Sequence, residues 1–132
     1  MARNGPVLAG LLVLSCLGAC AASSGGAQQE GTAPELCVLF IGNSLTATND
    51  LPGIVRALLD SAGVGRVDIA TVTYPNFGLQ DHWSDGDARQ AIDQAAWDLV
   101  VLQQGPSATE GRPSLLEYSE RFAEEIRARG AK

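Results

Sequence analysis

The chain has 132 residues, a net charge of −6 at neutral pH and 45% apolar residues. That length allows one small domain, and an acidic chain with no basic patch interleaved with aromatics excludes nucleic acid as a partner. One histidine and three cysteines form no cluster with metal-ligand spacing, so neither a metal nor another cofactor is expected.

Residues 1–19 run in the order of a secretory signal peptide: Arg3, the apolar stretch Val7 to Leu14, then small residues before Cys20. The stretch falls well short of the ~20 residues that span a bilayer as a helix. Leu17-Gly18-Ala19-Cys20 resembles the bacterial lipobox. The resemblance implies cleavage before Cys20, lipidation of its thiol, and an exported cell-envelope lipoprotein held to a membrane through that lipid. An ordinary signal peptide cut near Ala19 or Ala22, giving a secreted or periplasmic protein, is the alternative. Residues 20–34 are rich in Ala, Ser, Gly and Gln and read as a flexible tether. The folded part is expected over residues 35–132. With Cys20 claimed by lipid no disulfide framework is expected, and Cys37 reads as a small core residue.

Leu36-Cys37-Val38-Leu39-Phe40-Ile41 is an unbroken apolar run, the pattern of a parallel strand buried on both faces. Residues 42–49 form a polar loop. Asp50 caps the next helix, with Pro52 in its first turn; Ile54, Val55, Leu58, Leu59 and Ala62 make its apolar face, and Gly63 and Gly65 stop it. Residues 66–73, rich in β-branched side chains, predict a second strand. A loop over 74–83 leads to a helix capped by Ser84 and running to about Ala96. Leu99 to Leu102 is the third strand and 103–112 a further polar loop. Ser114 and Glu117 have capping-box spacing for a last helix, whose inner face carries Leu115, Tyr118, Phe122 and Ile126 before Gly130 ends it.

This β-α-β-α-β-α order predicts an α/β fold, a three-layer flavodoxin-like parallel sheet. With strand order 2-1-3, right-handed crossovers put helices on both faces. A ligand would bind beyond the carboxyl ends of strands 1 and 3, between the loops 42–49 and 103–112. The last helix is followed by no strand, which leaves the third strand with an open apolar edge and suggests a fold cut short after the third βα unit.

Gly42-Asn43-Ser44 lies at that ligand-binding end. Gly42 permits a tight turn, and the Ser44 hydroxyl and N–H suit a nucleophile and an oxyanion donor. A simple capping turn explains the same three residues. Ile41-Gly42-Asn43-Ser44-Leu45-Thr46 resembles block I of the SGNH/GDSL hydrolases, with Asn43 where the usual Gly-Asp-Ser-Leu has Asp. Residues 74–83 are similar to the block II loop of that family, with Gly78 matching the oxyanion-holding glycine. Trp97 to Gly105 resembles the block III strand and loop. The likeness covers about residues 36–129 and implies a partial SGNH hydrolase domain of the Gly-Asn-Ser-Leu branch.

Under this resemblance Ser44 is the nucleophile, and Gly78 and Gln103 are oxyanion donors. Gln103, or less directly Gln104 or Ser107, replaces an asparagine that block III lacks here. Asn43, His82 and Trp83 are candidate pocket residues, His82 and Trp83 either lining the pocket or seating the loop. The Asp-x-x-His of block V, source of the general base, is absent from the sequence. The resemblance therefore implies an exported serine esterase domain acting on a small-molecule or carbohydrate O-acyl ester, incomplete and inactive as it stands. The alternative is a non-catalytic envelope lipoprotein that binds a glycan or another small ligand.

Overall fold

A computed structural model describes residues 36–105 and 112–132. The signal segment, Cys20, the tether and residues 106–111, Ser107 included, lie outside the described residues. In chain order the elements are β1 (Leu36–Gly42), α1 (Ser44–Ala47), α2 (Leu51–Ser61), β2 (Val67–Thr73), α3 (Leu79–Asp85), α4 (Asp87–Gln94), β3 (Leu99–Leu102) and α5 (Arg112–Ala128).

The three strands form one parallel sheet in the order β2-β1-β3, as the sequence predicts. β1 is central because it is apolar on both faces: Cys37 to Gly42 are all buried. Leu39 and Ile41 point into the main core with Leu79, Ala88, Ile92, Phe122 and Ile126, so α3, α4 and α5 share one face of the sheet. Right-handed connections place α2 on the other.

The apolar stripe of α2 is only half used. Val55 and Leu59 are partly covered, whereas Ile54 and Leu58 remain 51% and 64% exposed. Asp50 caps α2 as expected, accepting from the Gly53 N–H at 3.2 Å. The segment expected as a loop over 74–83 followed by one helix is instead two short helices. The Gly78 N–H donates to Asp81 at 2.8 Å, which starts α3 at Leu79. Gly86, at φ 98°, breaks the path before α4. Ser84 therefore lies inside α3, its hydroxyl returned to the Gln80 carbonyl.

The last helix begins at Arg112, ahead of the Ser114 cap the sequence suggests, and Glu117 pairs with Arg121 instead. Its inner residues Phe122 and Ile126 are buried as predicted. The outer edge of β3 is not wholly open. The Lys132 N–H donates to the Asp98 carbonyl at 3.1 Å, and the Lys132 carbonyl accepts from Val100 at 2.8 Å. This is the alternation of a parallel ladder.

Candidate active site

Ser44 stands exposed at the carboxyl end of β1, as the first residue of α1. The turn beneath it is held from several sides. A Cβ on Gly42 would fall 2.5 Å from Thr46 Oγ1 and 2.8 Å from Gln103 Oε1, so only glycine fits there. The side chain of Asn43, 4% exposed, works in two directions: Oδ1 accepts from the Leu45 N–H at 3.0 Å, and Nδ2 donates to the Phe77 carbonyl at 2.8 Å. An aspartate could make the first bond but not the second, a local reason for Asn at this position.

Gln103 closes the turn from the end of β3. Its backbone N–H continues the ladder to the Ile41 carbonyl at 2.8 Å. Its Oε1 accepts from the Asn43 N–H at 3.0 Å and the Thr46 hydroxyl at 2.9 Å. His82, fully buried, brings Nε2 to 2.7 Å from the Gly42 carbonyl. A carbonyl can only accept, so Nε2 carries the proton. His82 Nδ1 and Gln103 Nε2 are buried without a hydrogen-bond partner among the described residues.

Two hollows meet at Ser44. The larger, about 400 Å³, runs between α1, α3 and α5; its wall includes Leu45, Phe77, Gly78, Gln80, Asp81 and Gln104. The smaller, about 310 Å³, lies on the β2 side against Ala47, Thr48, Thr73, Tyr74 and Pro75. On the larger wall the donors at the start of α3 are already engaged, Gly78 N–H by Asp81 and Leu79 N–H by Gln104 Oε1 at 3.2 Å. Beside the smaller hollow the Tyr74 hydroxyl donates to Asp87. That bond first, then burial and the charges of Asp87 and Asp85, raise the phenol above its ordinary value of 10.0.

The structure thus brings Ser44, Asn43 and Gly78 together. Gln103 lies behind the turn, and Gln104 is the amide on the cleft wall. His82 seats the end of β1 on α3 from below rather than lining either hollow. Trp83 points into the opposite side of α3, with Phe122 at 5.1 Å between ring centroids and the Arg89 guanidinium 4.5 Å from its ring. Sequence reasoning put Asp81 near the site but missed its bond to the Gly78 N–H and the place of Thr46 in the turn. Only the Gly78-x-x-Asp81 spacing could have signalled a capped helix there.

Among the described residues no three His, Cys, Asp or Glu side chains gather as metal ligands, and no described helix is long and apolar enough to cross a membrane. Compared with protein-family models, with curated proteins and with solved structures, the chain finds no match in any of the three.

Proposed function

We propose that this domain is a serine ester hydrolase unit of SGNH type, exported as an envelope lipoprotein, with Ser44 as nucleophile. The observation that carries the reading is the position of Ser44. It is exposed at the carboxyl end of the central strand, on a turn clamped by Asn43, Gln103 and His82, at the junction of two hollows. Parallel sheets bind their ligands at that end, and a nucleophile must be fixed without being covered. Gly78 and Gln104 face Ser44 across the larger hollow, so Gln104 replaces Gln103 as the side-chain amide nearest a developing oxyanion. The base is not supplied by His82, whose Nε2–H is spent on Gly42. Hydrolysis at Ser44 therefore needs a base other than His82, since loss of the base costs triad enzymes orders of magnitude.

The substrate is an ester of small size, with a sugar O-acyl group fitting the hydroxyl- and amide-rich wall. A second reading, ligand binding without turnover, draws on the engagement of the Gly78 N–H by Asp81. Peptide mapping after exposure to p-nitrophenyl acetate tests the first. Acetylation at Ser44 well ahead of the exposed Ser61 and Ser84 supports it. Equal acetylation at all three overturns it.

A further inference from the structure

The two hollows that share Ser44 differ in chemistry, and that difference sorts the two halves of an ester. The wall of the larger carries the Gln80 and Gln104 amides, the Asp81 carboxylate and the Ser114 hydroxyl. Each can bond a neutral hydroxyl, and Asp81 repels an anion. Among the described residues, the smaller hollow has no ionisable wall group except the Tyr74 phenol, whose hydroxyl donates to Asp87. The Ala47 methyl, the Thr48 and Thr73 side chains, the Pro75 ring and the Tyr74 ring give it a mostly hydrocarbon surface. Its 310 Å³ lies at the low end of ligand pockets.

We propose that the hollow formed by Ala47, Thr48, Thr73, Tyr74 and Pro75 is an acyl subsite for a short, unbranched, uncharged acyl group, with the alcohol of the ester lodged in the larger cleft. This rests on the assignment of Ser44 as nucleophile. A carbonyl carbon placed at Ser44 Oγ, with its oxygen toward Gly78, has two remaining substituents and two hollows to receive them. Exchanging them would put several hydroxyls against hydrocarbon without partners, and a hydroxyl left unpaired on burial is costly. In the reaction the Ser44 oxygen bonds to the carbonyl carbon and its proton passes to a solvent base. The bond from carbon to the alcohol oxygen then breaks, and that oxygen takes a proton from solvent.

The Ser44→Cys variant tests the subsite without the missing base, because a thiolate attacks p-nitrophenyl esters unaided. The assay follows thioester formation at the introduced thiol by peptide mapping, with acetyl, butyryl and octanoyl esters, each rate divided by that of N-acetylcysteine. The expected result is acylation at position 44 faster than that free thiol for acetyl and butyryl and at least about tenfold slower for octanoyl. Adding the exposed Ala47→Trp change, or separately Thr48→Phe, should lower butyryl transfer by about tenfold while acetyl falls less. Fast acylation of the introduced thiol that ignores chain length and both fillings overturns the subsite and leaves the nucleophile assignment standing. Acylation there no faster than that of N-acetylcysteine overturns the nucleophile assignment, and the subsite with it.

Discussion

Replacing Gln103 by Met keeps the length and apolar stem of the side chain and removes the amide, its buried unpartnered Nε2 together with its oxygen. That oxygen accepts from two buried donors, the Asn43 N–H at 3.0 Å and the Thr46 hydroxyl at 2.9 Å. Asn43 and Thr46 are 4% and 1% exposed, so water cannot take its place without opening the turn. Each orphaned buried donor costs about 1–3 kcal/mol. The Thr46 hydroxyl can rotate toward another acceptor, and losing the unpartnered Nε2 offsets part of the cost, so the net loss expected is about 2–4 kcal/mol. Urea unfolding followed through Trp83 and Trp97 fluorescence reads the change directly. For a domain of this size the melting midpoint falls by roughly 10–20 °C. The cause separates from general loosening through a second change. Thr46→Val removes one of the two donors, so the pair Gln103→Met with Thr46→Val should lose about 1 kcal/mol less than the two single losses added together. A Gln103→Met midpoint within about 0.5 kcal/mol of the starting chain, or strictly additive losses in the pair, refutes the clamp.

Asn43→Asp removes the Nδ2 donor and sets a carboxylate against the Phe77 carbonyl in a buried position; a loss of about 2–3 kcal/mol is expected by urea unfolding, and an unchanged midpoint would show that the amide is not needed. Trp83→Ala strips the ring from Phe122, Tyr118 and Arg89 and should cost about 2–4 kcal/mol for this half-buried site. Acetylation at Ser44 should stay unchanged under native conditions, because Trp83 lines neither hollow. The raised Tyr74 pKa gives an alkaline signature. The phenol holds its proton longer folded than unfolded, so the Tyr74–Asp87 contribution is complete below pH 10.0 and is lost as pH rises through the higher folded value. Urea midpoints measured across that range should fall in the starting chain and fall less steeply in Tyr74→Phe.

The sheet was legible because its signals are large and local. β1 and β3 are unbroken apolar runs, β2 is rich in β-branched residues, and the connection lengths leave few alternatives to the order β2-β1-β3. The Phe122 and Ile126 face of α5 was legible for the same reason. The stretch from Tyr74 to Gln94 was not. Tyr74-Pro75-Asn76 reads as loop, and the helix that follows is started by one hydrogen bond from Gly78 to Asp81, which outweighs the loop signal. Gly86 then divides what hydrophobic spacing alone joins into one helix. Gln103 and Gln104 show a different limit. Neighbouring residues at a strand end point to opposite faces, and sequence alone did not say which face looks into the cleft. Leu79 and His82 fall in the stretch expected as a loop, His82 either lining the pocket or seating that loop, yet both are buried, because burial there depends on α3 lying over the end of β1.

Those same local bonds set what the cleft can do. The Gly78 N–H would be costly to leave unpaired, and Asp81 satisfies it. An oxyanion that takes this donor must displace a carboxylate, and a carboxylate that stays nearby opposes the new negative charge. At a separation of about 4 Å and a surface-like dielectric that opposition is about 4 kcal/mol, comparable to what one oxyanion donor contributes in a working enzyme. Ser44 is held by bonds that need no such rearrangement, since Gln103, Asn43 and His82 all act on the turn from behind. On the ester-hydrolase reading, the nucleophile is positioned by the fold whereas the Gly78 donor becomes available only when Asp81 turns away. A carbonyl held with Asp81 in place is bound without being activated, so movement of one carboxylate separates the binding reading of this cleft from the hydrolytic one.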